Sequence, residues 1–188
     1  DVESSMAELM RLVGYEPRRE SVFIKPNVPD SGPPGQGLYT DPAVVDAFLK
    51  LFPGRSVVIG EGCIVGRDAD IALRKNGYSE VAERHGATLV NLDRAERFNV
   101  SWPYGELRLP VYVRTHEYVN IAKMKTHIQT GVTLGMKNQK GLLTAADKRR
   151  FHRTGLNGNI RALAEVVQPA LTIVDGIVAL EGDGPWRY

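Results

Sequence analysis

Five short runs of β-branched and apolar residues, each almost free of polar alternation, punctuate the sequence: Ser21–Lys25, Ser56–Gly60, Ala87–Leu92, Glu117–Ala122 and Ala170–Val174. A strand that is apolar on both faces must be covered on both faces, which is the condition of a parallel sheet between helices. Helical segments fall between the runs. Met6–Val13 closes on Gly14. Pro42–Phe52 opens behind Thr40 or Asp41 and is stopped by Pro53 and Gly54. Asp68–Lys75 ends near Gly77, Ser79 caps a further segment to Gly86, and Asn157 opens Ile160–Val167 ahead of Pro169. Phe98–Trp102 and Glu106–Leu109 alternate around Pro103-Tyr104-Gly105 and read as an inserted β-hairpin. The expectation is an α/β fold with a mainly parallel sheet of about five strands flanked by helices, in right-handed βαβ units. At 188 residues the chain is one domain, with room for residues ahead of Asp1. The segment Pro29–Gly37 is too rich in Gly and Pro for regular structure and reads as a mobile lid.

The net charge of +2 hides a segregation. Between Ile121 and Arg153 lie Lys123, Lys125, Lys137, Lys140, Lys148, Arg149, Arg150 and Arg153 against one acid, Asp147, a local charge of +7 that leaves −5 for the remainder. Such asymmetry suits an anionic partner, although a solvated face would show it too. No apolar run is long enough to cross a bilayer, the N-terminus lacks a secretory pattern, and the expected location is the cytoplasm. One cysteine, Cys63, excludes an internal disulfide and an iron–sulfur cluster or thiolate zinc site built by this chain alone.

In open α/β sheets ligands bind beyond the carboxyl ends of the strands. Four of the five runs pass there into polar residues: Lys25-Pro26-Asn27, Glu61-Gly62, Lys123 with Lys125, and Asp175-Gly176. Lys123 and Lys125 are two apart on an extended chain and point the same way. Thr126, His127, Lys137, Asn138 and Lys140 follow, with Gly131, Gly135 and Gly141 interleaved. Amines, hydroxyls and free backbone N–H groups together suit a phosphate or carboxylate. No standard phosphate-loop, dinucleotide or kinase motif is present.

The run IKPN at Ile24–Asn27, the block KMKTHIQTGVTLGMKNQKGL at Lys123–Leu142, the later His152 and the ending LTIVDGIVALEGDGP at Leu171–Pro185 resemble the family catalogued as domain of unknown function 362. The resemblance runs from about Val22 to Pro185. It implies an α/β domain found in bacteria and archaea, often beside a ferredoxin-like module that holds [4Fe–4S] clusters, with no reaction assigned. By their match to these motifs, Lys25, Asn27, Lys123, Lys125, Thr126, His127, Lys137, Asn138, Lys140 and Asp175 are the site residues it implies. The sequence departs from that pattern in carrying no cysteine-rich module.

Among the remaining residues, His127 between lysines should stay neutral and handle a proton, with Lys125 or Lys123 as a base or nucleophile beside it. His152 joins the ligand-binding set. Asp175, Glu181 and Asp183, on a glycine-rich turn, could hold Mg²⁺ or pair with the basic segment. Three functions remain open. The first is an enzyme or enzyme-like domain binding a small anionic ligand, phosphorylated or polycarboxylate. The second is an electron-transfer domain docking a ferredoxin-type partner. The third, nucleic-acid binding, is weakened because Phe151 is the only aromatic in the basic window. A homo-oligomer is compatible with each.

Overall fold

The computed structural model describes residues 1–184. Pro185, the last residue of the final motif, lies outside them. In chain order the elements are α1 (Val2–Val13), β1 (Ser21–Pro26), α2 (Pro42–Leu51), β2 (Ser56–Glu61), α3 (Ala69–Lys75), α4 (Tyr78–His85), β3 (Thr88–Asn91), β4 (Arg97–Trp102), β5 (Gly105–Pro110) and α5 (Tyr112–Thr115). There follow β6 (Glu117–His127), β7 (Gly131–Thr133), α6 (Gly135–Asn138), a 3₁₀ turn (Gln139–Leu142), α7 (Ala145–Thr154), α8 (Leu156–Val166) and β8 (Leu171–Leu180).

The main sheet is β3-β2-β1-β6, with β8 parallel to β6 on its other side and β7 returning antiparallel on the far end of β6. The fold is thus α/β and mainly parallel, with β4–β5 forming the separate antiparallel hairpin that the alternation around Gly105 predicts. Consecutive residues of β1 serve opposite cores. Val22 and Ile24 pack with Phe48, Leu73 and Tyr78, while Phe23 packs with Leu107, Phe151 and Leu163. Asp41 caps α2, its carboxylate accepting from Ala43 N at 2.9 Å with Pro42 at the first turn.

Several local expectations are corrected. Gly77, at φ 85°, precedes α4 with no side-chain cap, so Ser79 lies inside that helix. Gly155, at φ 110°, starts α8 at Leu156, ahead of Asn157. The fourth run does not stop at Ala122: β6 continues to His127, with Lys123, Lys125 and His127 buried and Met124 exposed. The fifth does not end at Asp175, which sits inside β8 and is buried. Helix α7 escapes a reading by hydrophobic periodicity because its buried residues are only Lys148 and Phe151; Thr144 caps it, accepting from Asp147 N. The start of the Pro29–Gly37 loop is anchored to α3 and the turns beside it. Asn76 bonds Asp30 O at 2.9 Å and Gly32 N at 3.3 Å, and Arg67 pairs with Asp30 at 2.8 Å. Among the described residues no helix is long and apolar enough to cross a membrane.

Candidate functional site

Pro26 pairs with Ile121, and β6 runs on from there to His127 past the end of β1. The extra length of β6, the turns after β1 and β2, and the segment from β7 to α7 enclose a cavity of about 620 Å³ beyond the carboxyl ends of the strands. Its walls include Lys25, Asn27, Lys125, His127, Lys137, Asn138, Lys140 and His152, eight of the residues singled out from the sequence. Lys148, Arg149 and Arg153 from α7 add further cations, and Glu61 is the one carboxylate residue in the wall.

A buried polar scaffold fixes the entrance strands. Lys25 Nζ lies 2.7 Å from Glu61 Oε1 and 3.1 Å from Asn138 Oδ1. Glu61 also accepts from Val28 N at 2.8 Å and from its neighbour Gly62 N at 2.9 Å, so its oxygens are committed. Asn138 donates to Asn120 Oδ1 at 2.8 Å, which ties the 3₁₀ region to β6. Because Lys25 donates to Asn138 Oδ1, Asn27 must present its amide nitrogen there too, at 2.9 Å. Asn27 Oδ1 is thereby left buried with no partner, on a residue that lines the cavity. Gly141 makes this packing feasible: a Cβ there would collide with Glu61 Oε1 and lie 2.5–2.6 Å from Lys25 Cε and Nζ.

The remaining amines are treated differently. Lys125, 4% exposed, donates to Leu38 O at 2.6 Å. Lys137 contacts Thr133 Oγ1 at 3.2 Å, and Lys140 contacts His152 Nε2 at 2.7 Å. None of these three has a carboxylate within ion-pair distance among the described residues. Burial, with neighbouring lysines adding to it, pulls Lys125 and Lys137 down to about 7; burial and Lys148 pull Lys140 to about 8. Burial, followed by Lys137 and Lys140, holds His127 at about 4 and also lowers His152. His127 Nδ1 accepts from Gln129 N at 3.1 Å, so Nε2 carries the ring proton and the neutral ring acts as a donor.

Other expected site residues fall elsewhere. Lys123 points the same way as Lys125 along β6, but it borders a separate cavity of about 300 Å³ behind Pro34–Tyr39 and pairs with Asp175 at 2.7 Å. Asp175 also accepts from Asp41 N and Ile177 N, which saturates it structurally. Glu181 and Asp183 are exposed, and no group of acidic, His or Cys residues among the described ones is arranged to hold a metal. Thr126 faces away from the basic cavity and donates to Leu180 O at 3.2 Å. Cys63 borders the cavity yet is 1% exposed and bonded to Val28 O, and burial pushes its thiol far above the usual range. Glu61, Gly141, Lys148, Arg149 and Arg153 also border the cavity without being expected as site residues; the three cations were visible only as part of the basic window. Glu61 carried a signal, its place at a strand end; Gly141 carried only its place among the glycines of the basic segment.

A family model described as Domain of unknown function (DUF362) matches residues 22–188, and the chain belongs to that family. Among curated proteins, the thylakoid-associated protein sll1697 of Synechocystis sp. is 29% identical over 175 residues, an overlap that covers 88% of this chain and 54% of that protein. The chain therefore spans about half the length of that relative.

Proposed function

We propose that this domain binds a small multivalent anion, a phosphorylated compound or a polycarboxylate, in the basic cavity at the carboxyl edge of its sheet. The observation that carries the reading is the set Lys125, Lys137 and Lys140, which border one cavity without a carboxylate partner among the described residues. Enclosing such amines together costs stability in the empty protein, since burial and like charge both oppose protonation. A bound anion removes that cost and restores protons to Lys137 and Lys140, the two that hold it. Glu61, already held by Lys25 and two backbone N–H groups, favours the protonated form of Lys125 but does not overcome its burial. Asn27 Oδ1 adds an acceptor, which suits a ligand that carries a hydroxyl beside its anionic group.

The reading is tested by thermal melts across a phosphate titration at fixed ionic strength. Stabilisation follows RT ln(1 + [L]/Kd), about 2.7 kcal/mol at a hundred times Kd. Lys137→Met is expected to lose most of that response. Flat curves for both proteins would retire the proposal.

A further inference from the structure

We propose that Lys125 is a nucleophile that forms a Schiff base with a small carbonyl compound bearing a phosphate or carboxylate group. The inference rests on the anion-binding reading and adds a reaction to it. Four lysine amines are buried around the carboxyl edge of the sheet, and three have carboxylates: Lys25 with Glu61 at 2.7 Å, Lys123 with Asp175 at 2.7 Å, and Lys148 with Asp93 at 3.2 Å. Lys125 alone has only a carbonyl, Leu38 O. A buried ammonium persists when it is paired; an unpaired one sheds its proton, and an uncharged amine has a lone pair to offer. Of these four, Lys123 borders a different cavity and the amines of Lys25 and Lys148 are occupied, so Lys125 is the one free to react in the basic cavity.

The neighbours complete the arrangement. Lys137 and Lys140 would hold the anionic group, and once protonated they keep Lys125 uncharged. His127, on the same face of β6, has its proton on Nε2 and can donate toward the carbonyl oxygen. The lone pair of Lys125 Nζ forms the C–N bond as the C=O π pair moves onto oxygen. Both amine protons pass to that oxygen, which leaves as water, and a neutral C=N bond remains. Amine and carbonyl give imine and water, with no oxidant or reductant.

Pyridoxal 5′-phosphate serves as a phosphate-bearing aldehyde probe, with borohydride to trap the imine and peptide mass spectrometry to locate the adduct on the full chain. The expected result is an adduct on Lys125 approaching one per chain, with phosphate-free pyridoxal at least about tenfold less effective, a difference of about 1.4 kcal/mol, and inorganic phosphate protecting. Lys137→Met should keep the reactive amine but lose the advantage of the phosphorylated probe. Adducts confined to exposed lysines such as Lys50 and Lys75, in a protein that phosphate still stabilises, would overturn the nucleophile and leave anion binding standing. Absence of both the Lys125 adduct and the phosphate response would overturn both.

Discussion

Lys25 and Glu61, on adjacent parallel strands, meet at 2.7 Å with both side chains shielded from water. A buried pair of this kind is costly to break, because removing one partner strands the other charge. Glu61→Gln is expected to destabilise the protein by about 3–5 kcal/mol. At about 2–4 °C per kcal/mol for a chain of this size, the melting temperature should fall by roughly 10 °C. Combining it with Lys25→Met should recover part of the loss. Equal melting temperatures for Glu61→Gln and the parent would show that the pair is dispensable.

Gly141 permits the 3₁₀ turn to sit against that pair. Gly141→Ala should cost about 1–3 kcal/mol, the usual penalty of overpacking, and should also blunt the phosphate-induced rise in melting temperature, since Lys140 and Asn138 move with the turn. Unchanged anion response in the variant would mean that this packing does not position the site.

The depressed amines set a pH dependence. In the unfolded chain a lysine stays protonated to about pH 10.4, whereas Lys125 and Lys137 lose their protons near 7 in the folded protein. Between pH 7 and about pH 8.5 the unfolded state binds more protons, so the ligand-free protein should become more stable as pH rises. Saturating phosphate, which favours the protonated amines, should flatten or reverse that slope. Melting temperatures measured across this window with and without phosphate check both signs. In the same range, calorimetric binding enthalpies in buffers of different ionisation enthalpy should report net proton uptake.

Asn27 belongs to the wall of the cavity, and its Oδ1 is buried without a partner. A phosphate ester bearing a free hydroxyl, such as glycerol phosphate, should therefore bind more tightly than inorganic phosphate. Asn27→Ala should remove that preference, a change of about fivefold in relative affinity, since a single hydrogen bond contributes on the order of 1 kcal/mol. Equal preference in both proteins would show that the acceptor is not used.

Much of this was legible in the residues. The apolar runs at Ser21 and Ser56, the Asp41-Pro42 helix start and the hairpin around Gly105 carry local signals that tertiary structure leaves intact. The alternation that puts Lys123 and Lys125 on one face was equally plain. Their separation into two cavities was not, because it depends on where the chain at Leu38 crosses β6, a tertiary fact. Strand β6 beyond Ala122 looked like a polar end because buried lysines mimic exposed ones. Asp175 looked like a strand terminus for the same reason, since the partner that buries it lies 52 residues away.

The most direct measurement is anomalous diffraction from crystals of the protein soaked in selenate, a phosphate-like ion whose position the selenium marks. The expected result is a peak inside the cavity within hydrogen-bonding distance of at least two of Lys125, Lys137 and Lys140, absent in crystals of Lys137→Met. Selenium confined to exposed basic residues away from the cavity, such as Lys75 or Arg161, or at no fixed position, would contradict an anion site at the carboxyl edge of this sheet.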